Sequence, residues 1–307
     1  MRRKSTLSVV LIGALLAVVL VAGCGSSAEK GKEARPTVFV DDLGREVEIA
    51  EVPQSIVSIA PSCTEILFAL GLGDKVIGVT EYCDYPEEAK EKPKIGTFTT
   101  PNLEAILSLE PDLVLATGGV QAEILGRMEE LGLTVFAVNP MTFEQTVEDI
   151  RKIGEITGAV EEAEGIARDM EERAEAVAKR VRELEAEGKK RPRVFYEIYY
   201  ENNVWTAGKS SIISDLISLA GGENIGDVEA SDYYEFSVER LMAENPQVYL
   251  VGSGSMSNPG DVTRRPGWDR MEAVREGRVY VIDEDLVYRT GPRLIQGLEA
   301  IHRALFP

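Results

Sequence analysis

Two carboxylates stand at the same place in a stretch that this chain carries twice. Residues 102–115 read NLEAILSLEPDLVL and residues 237–250 read SVERLMAENPQVYL. Aligned without a gap, they share the frame x-[LV]-E-x-[IL]-x-x-x-x-P-x-[LV]-x-L, with Glu104 and Glu239 in register 135 residues apart. That separation is far beyond a solenoid period. It implies two similar lobes, each presenting one acidic group. Matched charges on two lobes suit docking onto a two-fold symmetric partner. A Glu in the first turn of a helix is also favoured by the helix dipole alone.

The other reactive side chains argue against catalysis and against a bare metal site. The chain has one histidine, His302, on a terminal helical segment, whereas a transition-metal site draws on several imidazoles or thiolates. Gly252-Ser253-Gly254-Ser255-Met256 lacks the spacing of a nucleophile elbow, and no base accompanies it. Gly71-Leu72-Gly73-Asp74 reads as a turn, since the third glycine of a dinucleotide fingerprint is missing. No enzyme is expected, and neither a cofactor nor a metal. Of three cysteines, Cys24 closes the leader, and Cys63 and Cys83 each follow a predicted strand. Those two could form a disulfide in an oxidising compartment or remain half-buried thiols; both readings stand.

The leader fixes the compartment. Arg2, Arg3 and Lys4 precede an apolar run over residues 7–21, which ends in Leu20-Val21-Ala22-Gly23-Cys24. This is a signal peptide, residues 1–23, with a lipobox-like end that predicts diacylglyceryl attachment at Cys24. A spanning helix needs about 20 apolar residues, more than the run supplies. Residues 24–36 are small and polar and read as a tether. Removing the leader takes away Arg2, Arg3 and Lys4 and leaves 30 basic against 52 acidic residues, a net of −22. Such a balance argues against nucleic acid, or anionic headgroups, as partners of the folded part. The membrane contact expected is the lipid anchor alone, on the outer face of the cytoplasmic membrane.

The elements that must position these groups alternate. Apolar strands are expected over residues 55–60, 76–79, 113–116 and 135–138, and helices over 61–70, 103–109 and 121–131. This alternation predicts a parallel α/β sheet for a first lobe, residues 37–141. Residues 142–190 differ. A helix over 143–156 stops at Thr157-Gly158, and then Ala163, Ile166, Ala167, Met170, Ala174, Val177, Ala178, Val181 and Leu184 recur every three or four residues. They define one amphipathic rod of about 25–28 residues, roughly 40 Å long. A second lobe, residues 191–307, restarts with a strand at 194–198. It continues with helices over 211–220, 238–243 and 293–305 and strands over 248–251 and 279–282. The fold class is α/β: two lobes with parallel-type sheets, one long bridging helix, and a ligand cleft between the lobes.

Several stretches together resemble the cobalamin- and siderophore-type substrate-binding proteins of ABC importers. They are IVSIAPSCTEIL at 56–67, ALGLGD at 69–74, GVTEYCDYP at 78–86, PNLE at 101–104 with PDLV at 111–114, SDLI at 214–217 with AGGEN at 220–224, and GPR at 291–293. Their order covers nearly all of residues 37–305. Tyr82 with Asp84-Tyr85-Pro86 is most similar to the vitamin B12-binding branch. The resemblance implies a monomeric receptor and an ABC permease dimer with cytoplasmic ATPase subunits as partner. Glu104 and Glu239 then fall where each lobe meets permease arginines, and charge-assisted Arg–carboxylate pairs would set the orientation.

Loops at strand ends should line the cleft. Tyr82, Phe98 and Tyr233 match family positions that carry cargo-facing rings, and Phe98 and Tyr233 each stand six residues before a repeated Glu. Tyr199, Tyr200 and Trp205 are further candidates, or else pack a core or an edge strand. Flat rings suit a large, partly apolar macrocycle. Arg289 before the last helix could meet an anionic ligand or sit in an ion pair. Arg293 is expected to pair within its lobe and Trp268 to pack inside the second. The resemblance implies a corrinoid, cobalamin foremost, as the ligand. A ferric siderophore or haem is the alternative, and a ligand-free structural lipoprotein is a third reading.

Overall fold

The structure is a computed structural model and describes residues 36–253 and 259–307. The signal segment, Cys24 and the tether up to residue 35 lie outside the described residues, as do residues 254–256 of the Gly-Ser-rich stretch. A short antiparallel hairpin comes first, β1 (Thr37–Val40) with β2 (Glu46–Ile49). The first lobe follows as β3 (Ile56–Ser58), α1 (Pro61–Ala69), β4 (Val76–Val79), α2 (Leu103–Ser108), β5 (Leu113–Thr117), α3 (Ala122–Glu130) and β6 (Val135–Val138). Its strands are all parallel in the order β4-β3-β5-β6. Helices cover both faces, so the strands are apolar throughout and alternate residues feed two cores. Val57, Val114 and Ala137 pack on one side, and Ile56, Leu115 and Phe136 on the other.

Two antiparallel-packed helices then lead to the second lobe. These are α4 (Phe143–Thr157) and α5 (Val160–Ala186), the latter 27 residues long, about 40 Å at 1.5 Å per residue. Thr142 caps α4 by accepting from Gln145 N–H, and Gly158, with φ of 76°, ends it in the left-handed conformation. Gly154 allows the close crossing, because a Cβ there would fall 2.3 Å from Ala163 Cβ. Of the stripe expected on α5, Ala163, Ala167, Met170, Val177, Val181 and Leu184 are buried, and Ile166, Ala174 and Ala178 are partly buried beside them.

The second lobe comprises β7 (Arg193–Tyr200), β8 (Val204–Ala207), α6 (Ile212–Leu219), β9 (Glu223–Asn224), β10 (Tyr233–Phe236), α7 (Val238–Glu244), β11 (Val248–Ser253), α8 (Pro259–Arg264), α9 (Glu272–Arg275), β12 (Val279–Asp283), α10 (Asp285–Tyr288) and α11 (Leu294–Leu305). Its sheet runs β10-β8-β7-β11-β12 with β9 beside β7. This sheet is mixed. β7, β11 and β12 are parallel, but β8 folds back antiparallel on β7, and β10 on β8. The parallel-type centre expected from the sequence is β7, β11 and β12; β8 and β10 add antiparallel strands, only four residues each, that the sequence reading did not include. Among the described residues no helix is long and apolar enough to cross a membrane.

One apolar core runs through both lobes. It joins Ile56 and Phe136 of the first sheet, Ile150 and Met170 of the bridging helices, and Tyr196, Leu250 and Ile301 of the second lobe. A second core behind the second sheet holds Phe195, Tyr249 and Trp268, so Trp268 packs where expected. There Glu197 is fully buried and accepts from Arg265 Nη1 and Nη2 at 2.6 and 2.8 Å and from Tyr249 OH. The Arg265 guanidinium lies 3.8 Å from the Tyr200 ring centre and 4.4 Å from that of Trp268. Removing one partner from a buried pair leaves a charge without compensation. Glu197→Ala should therefore destabilise the fold by about 3–5 kcal/mol, measured by urea unfolding; a loss within error of zero would show the pair to be dispensable.

Candidate functional site

The parallel strands of both lobes end at one cleft of about 890 Å³. From the first lobe come Pro61 and Ser62 after β3, Tyr82 after β4, Thr117 and Gly118 at the end of β5, and Asn139 to Met141 after β6. The second lobe contributes Ile198 and Tyr199 at the end of β7, Tyr233 at the start of β10, and the segment from Glu284 to Thr290. Carboxyl ends of parallel strands are where α/β folds place ligands, and the volume is at the upper end for a small-molecule pocket.

Five of the seven residues expected at the ligand meet here: Tyr82, Phe98, Tyr199, Tyr233 and Arg289. Tyr82 and Tyr233 expose 58% and 40% of their surface, which leaves open rings on opposite lobes. Tyr200 and Trp205 are not in the lining. The cause is a bulge in β7, where the register on β8 shifts between Glu197 and Tyr199. Strand alternation resets there, so Ile198 and Tyr199 both face the cleft while Tyr200 turns to the rear core against Trp268. Trp205 is the cross-strand partner of Tyr199 and remains exposed on the outer part of the sheet.

Arg289 is held by carboxylates. Its Nη1 lies 3.1 Å from Glu65 Oε1 and 2.7 Å from Asp84 Oδ1, and its Nη2 lies 2.9 Å from Asp285. Arg293 donates to both oxygens of Glu65, at 2.8 and 2.6 Å, and stacks 3.9 Å from the Tyr85 ring centre. Glu65 belongs to α1 and the arginines to the second lobe, so these pairs cross between lobes. The expectation that Arg293 pairs within its own lobe is corrected. The residues approaching it from its own side are Asp285, at 4.0 Å, and Arg289, whereas Glu65 is 3% exposed and its carboxylate must be compensated. Among the described residues lining the cleft, Asp232, Glu284 and Asp285 face the single cation Arg289. Burial, and then repulsion from Asp285 and Asp283, raises Glu284 above the usual carboxylate range.

The partners of Arg289 also carry sequence signals. Asp285 and Arg289 are an i,i+4 pair directly after a strand, and Glu65 is an acidic residue inside an otherwise apolar helix. Tyr288 also lines the cleft; its ring centre is 6.2 Å from that of Tyr233 and its hydroxyl is buried with no partner among the described residues.

The repeated stretch builds the same device in each lobe. Asn102 Oδ1 accepts from Ala105 N–H and Ser237 Oγ from Arg240 N–H, both at 3.1 Å, capping α2 and α7. Glu104 and Glu239 are the second residue of their helices, and both are exposed. Glu110 and Asn245 share a left-handed backbone, with φ of 47° and 46°. Asp112 N–H and Gln247 N–H then bond to the start of the neighbouring strand, Ser55 O just before β3 at 2.9 Å and Arg193 O at the first residue of β7 at 2.8 Å. Equivalent carboxylates thus stand on equivalent helices.

The thiols do not form the disulfide that the sequence allowed. Cys63 and Cys83 are free and buried. Cys83 Sγ lies 3.1 Å from the hydroxyls of both Thr64 and Thr80, while Cys63 Sγ turns to Ala116 O at 3.5 Å. Each sulfur is thus engaged by its own neighbours.

Residues 56–286 match the model of the periplasmic binding protein family, and the chain belongs to that family. An uncharacterised ABC transporter substrate-binding lipoprotein of Bacillus subtilis is 33% identical over 304 residues, 95% of each chain. Among solved structures, the periplasmic vitamin B12-binding protein of Vibrio cholerae superposes with a TM-score of 0.72 at 27% identity, covering 83% of this chain and 97% of that one. A periplasmic haem-binding protein of Pseudomonas aeruginosa gives 0.72 at 26% identity, covering 83% and 93%.

The cleft wall has a titratable support. Asn139 N–H donates to Asp42 Oδ2 at 2.6 Å, and Lys152 Nζ bridges Asp42 and Asp149 at 2.9 and 3.2 Å. Burial, reinforced by the Asp42 charge, pushes the Asp149 carboxyl up to about 8. Asp149 Oδ2 has no donor among the described residues, so a proton there makes it a donor toward Asp42. The folded protein therefore holds this proton more tightly than the unfolded chain, whose value is 3.8. Stability from this group is full below about pH 4 and lost as pH rises through about 8. Asp149→Asn should flatten that decline, seen as a Tm difference between wild type and variant that grows in favour of the variant from pH 5 to 8.5. A difference independent of pH would assign the titration elsewhere.

Proposed function

We propose that this chain captures a corrinoid outside the cytoplasmic membrane and delivers it to an ABC permease. The observation that carries the cargo is the cleft itself. Open aromatic faces from both lobes flank a space whose lining has three carboxylates and one already paired arginine. Such a lining suits a large, flat ligand with little net negative charge; a polyanionic siderophore would meet repulsion. The vitamin B12-binding protein of Vibrio cholerae supports the same choice by its fold. Haem is the second reading, favoured by the equal superposition on the Pseudomonas aeruginosa protein. The chain acts as a binding component without chemistry of its own, as a monomer. Cys24 carries the lipid, and residues 24–36 span from membrane to folded body.

Delivery rests on Glu104 and Glu239. Each sits at an exposed helix start on its own lobe, placed by the same cap and the same backbone turn. Two such groups on a rigid body meet two symmetry-related arginine pockets at once, which fixes the orientation of the permease complex.

Titration of residues 24–307 carrying Cys24→Ala with cyanocobalamin, cobinamide, haem and ferric siderophores tests the cargo. Corrinoid binding at or below about micromolar Kd is expected. Tight haem or siderophore binding without it would replace the corrinoid reading. Tyr82→Ala with Tyr233→Ala should weaken corrinoid binding about tenfold or more, since each stacked ring contributes about 0.5–1.5 kcal/mol beyond its buried area. Glu104→Arg with Glu239→Arg should abolish uptake in cells and leave the Kd of the soluble protein unchanged; intact uptake would refute the docking role.

A further inference from the structure

The far end of the second lobe has the opposite character from the cleft. Arg193 opens β7, Gln247 precedes β11 and Arg278 precedes β12, and all three line a separate pocket of about 710 Å³. The cleft residues Tyr199 and Glu284 lie at the other ends of these strands. At about 3.3 Å per residue, the length of β7 puts roughly 20 Å between the two. Gln247 also follows the C-terminal end of α7, whose N-terminal end carries Glu239. A ligand in this pocket therefore leaves the cleft uncovered.

The pocket is basic in an acidic protein. The end of α5 supplies Arg180, the following turn supplies Lys189, Lys190 and Arg191, and Glu223 is the one acidic side chain in the lining. Three of the arginines have carboxylate partners: Arg180 with Glu183, Arg191 with Glu185 and Arg193 with Glu244, at 3.3, 2.8 and 3.6 Å. Lys189, Lys190 and Arg278 have none among the described residues, and Arg278 donates instead to Leu305 O at 2.7 Å. The two lysines are exposed at the rim, and Arg278 is half-buried in the wall. Overall charge of −22 does not cancel this patch. Beyond the Debye length of about 8 Å at physiological ionic strength, the remaining carboxylates are screened. A concave wall also focuses the field of the cations lining it.

We propose that this pocket binds a phosphate-bearing anion, held by Arg278 from the wall and by Lys189 and Lys190 from the rim. Phosphate oxygens can accept from both ammonium groups and from a guanidinium at once, and a concave site of this size admits a phosphorylated small molecule or a phospholipid headgroup. The binding lies outside the corrinoid reading and does not depend on it.

The test uses residues 24–307 with Cys24→Ala, so that no lipid anchor contributes. Pyrophosphate is titrated by calorimetry, and vesicles of phosphatidylglycerol or of phosphatidylcholine are tested by co-sedimentation. Saturable pyrophosphate binding, weakened at least tenfold by Lys189→Glu with Lys190→Glu and separately by Arg278→Gln, supports a soluble phosphate ligand. Co-sedimentation with phosphatidylglycerol but not phosphatidylcholine, lost in the same variants and without pyrophosphate binding, supports a headgroup. Binding of neither probe, or binding that the variants leave intact, overturns the proposal. Thermal unfolding of each variant at the wild-type Tm shows that a lost signal is a lost site.

Discussion

The arrangement of the two lobes depends on one buried carboxylate. Glu65 sits on the apolar α1 with 3% of its surface exposed. An ionised group there must be compensated, and its partners come from the opposite lobe, Arg293 in bidentate contact and Arg289 beside it. Three consequences follow from this constraint. The segment from Glu284 to Thr290 is held against the first lobe, which completes the cleft wall. Arg289 is occupied before any ligand arrives, so the cleft keeps its acidic balance. The lobes are also joined by polar contacts in addition to the shared apolar core, and a large opening would have to break both.

Charge is distributed with a clear polarity along the second lobe. Carboxylates gather where the parallel strands end, and lysines and arginines where they begin. The net charge of the chain averages over these regions and describes neither. A composition argument over the whole body does not describe the pocket around Lys189, Lys190 and Arg278, whose lining is locally basic. What decides the local potential is the set of side chains within about one Debye length.

Much of the architecture was legible in the sequence because hydrophobic period and punctuation agree. The stripe from Ala163 to Leu184, the stop at Gly158 and the apolar strands of the first sheet all follow from local chemistry. The repeat announced two capped helices because Asn102 and Ser237 occupy the same place in it. The strands β8 and β10 were not legible, since Trp205 and Tyr233 are exposed there and their pairing is decided by β7. The place of Tyr200, open in the sequence between cleft and core, is decided by the bulge, which simple alternation cannot anticipate. Arg293 was assigned to its own lobe because a carboxylate 228 positions earlier in the chain leaves no local trace.

That bulge separates two kinds of selection acting on a single strand. Glu197 and Tyr196, just before it, are fixed by the packed interior. Ile198 and Tyr199, at the phase slip, both face the cleft; Ile198 also packs against the main core, and the Tyr199 hydroxyl donates to Glu201. A substitution at Tyr199, which belongs to neither core, therefore reshapes the cleft at little cost to folding. The shape of the cleft can thus vary at this irregularity while the packed residues on either side of it stay in place.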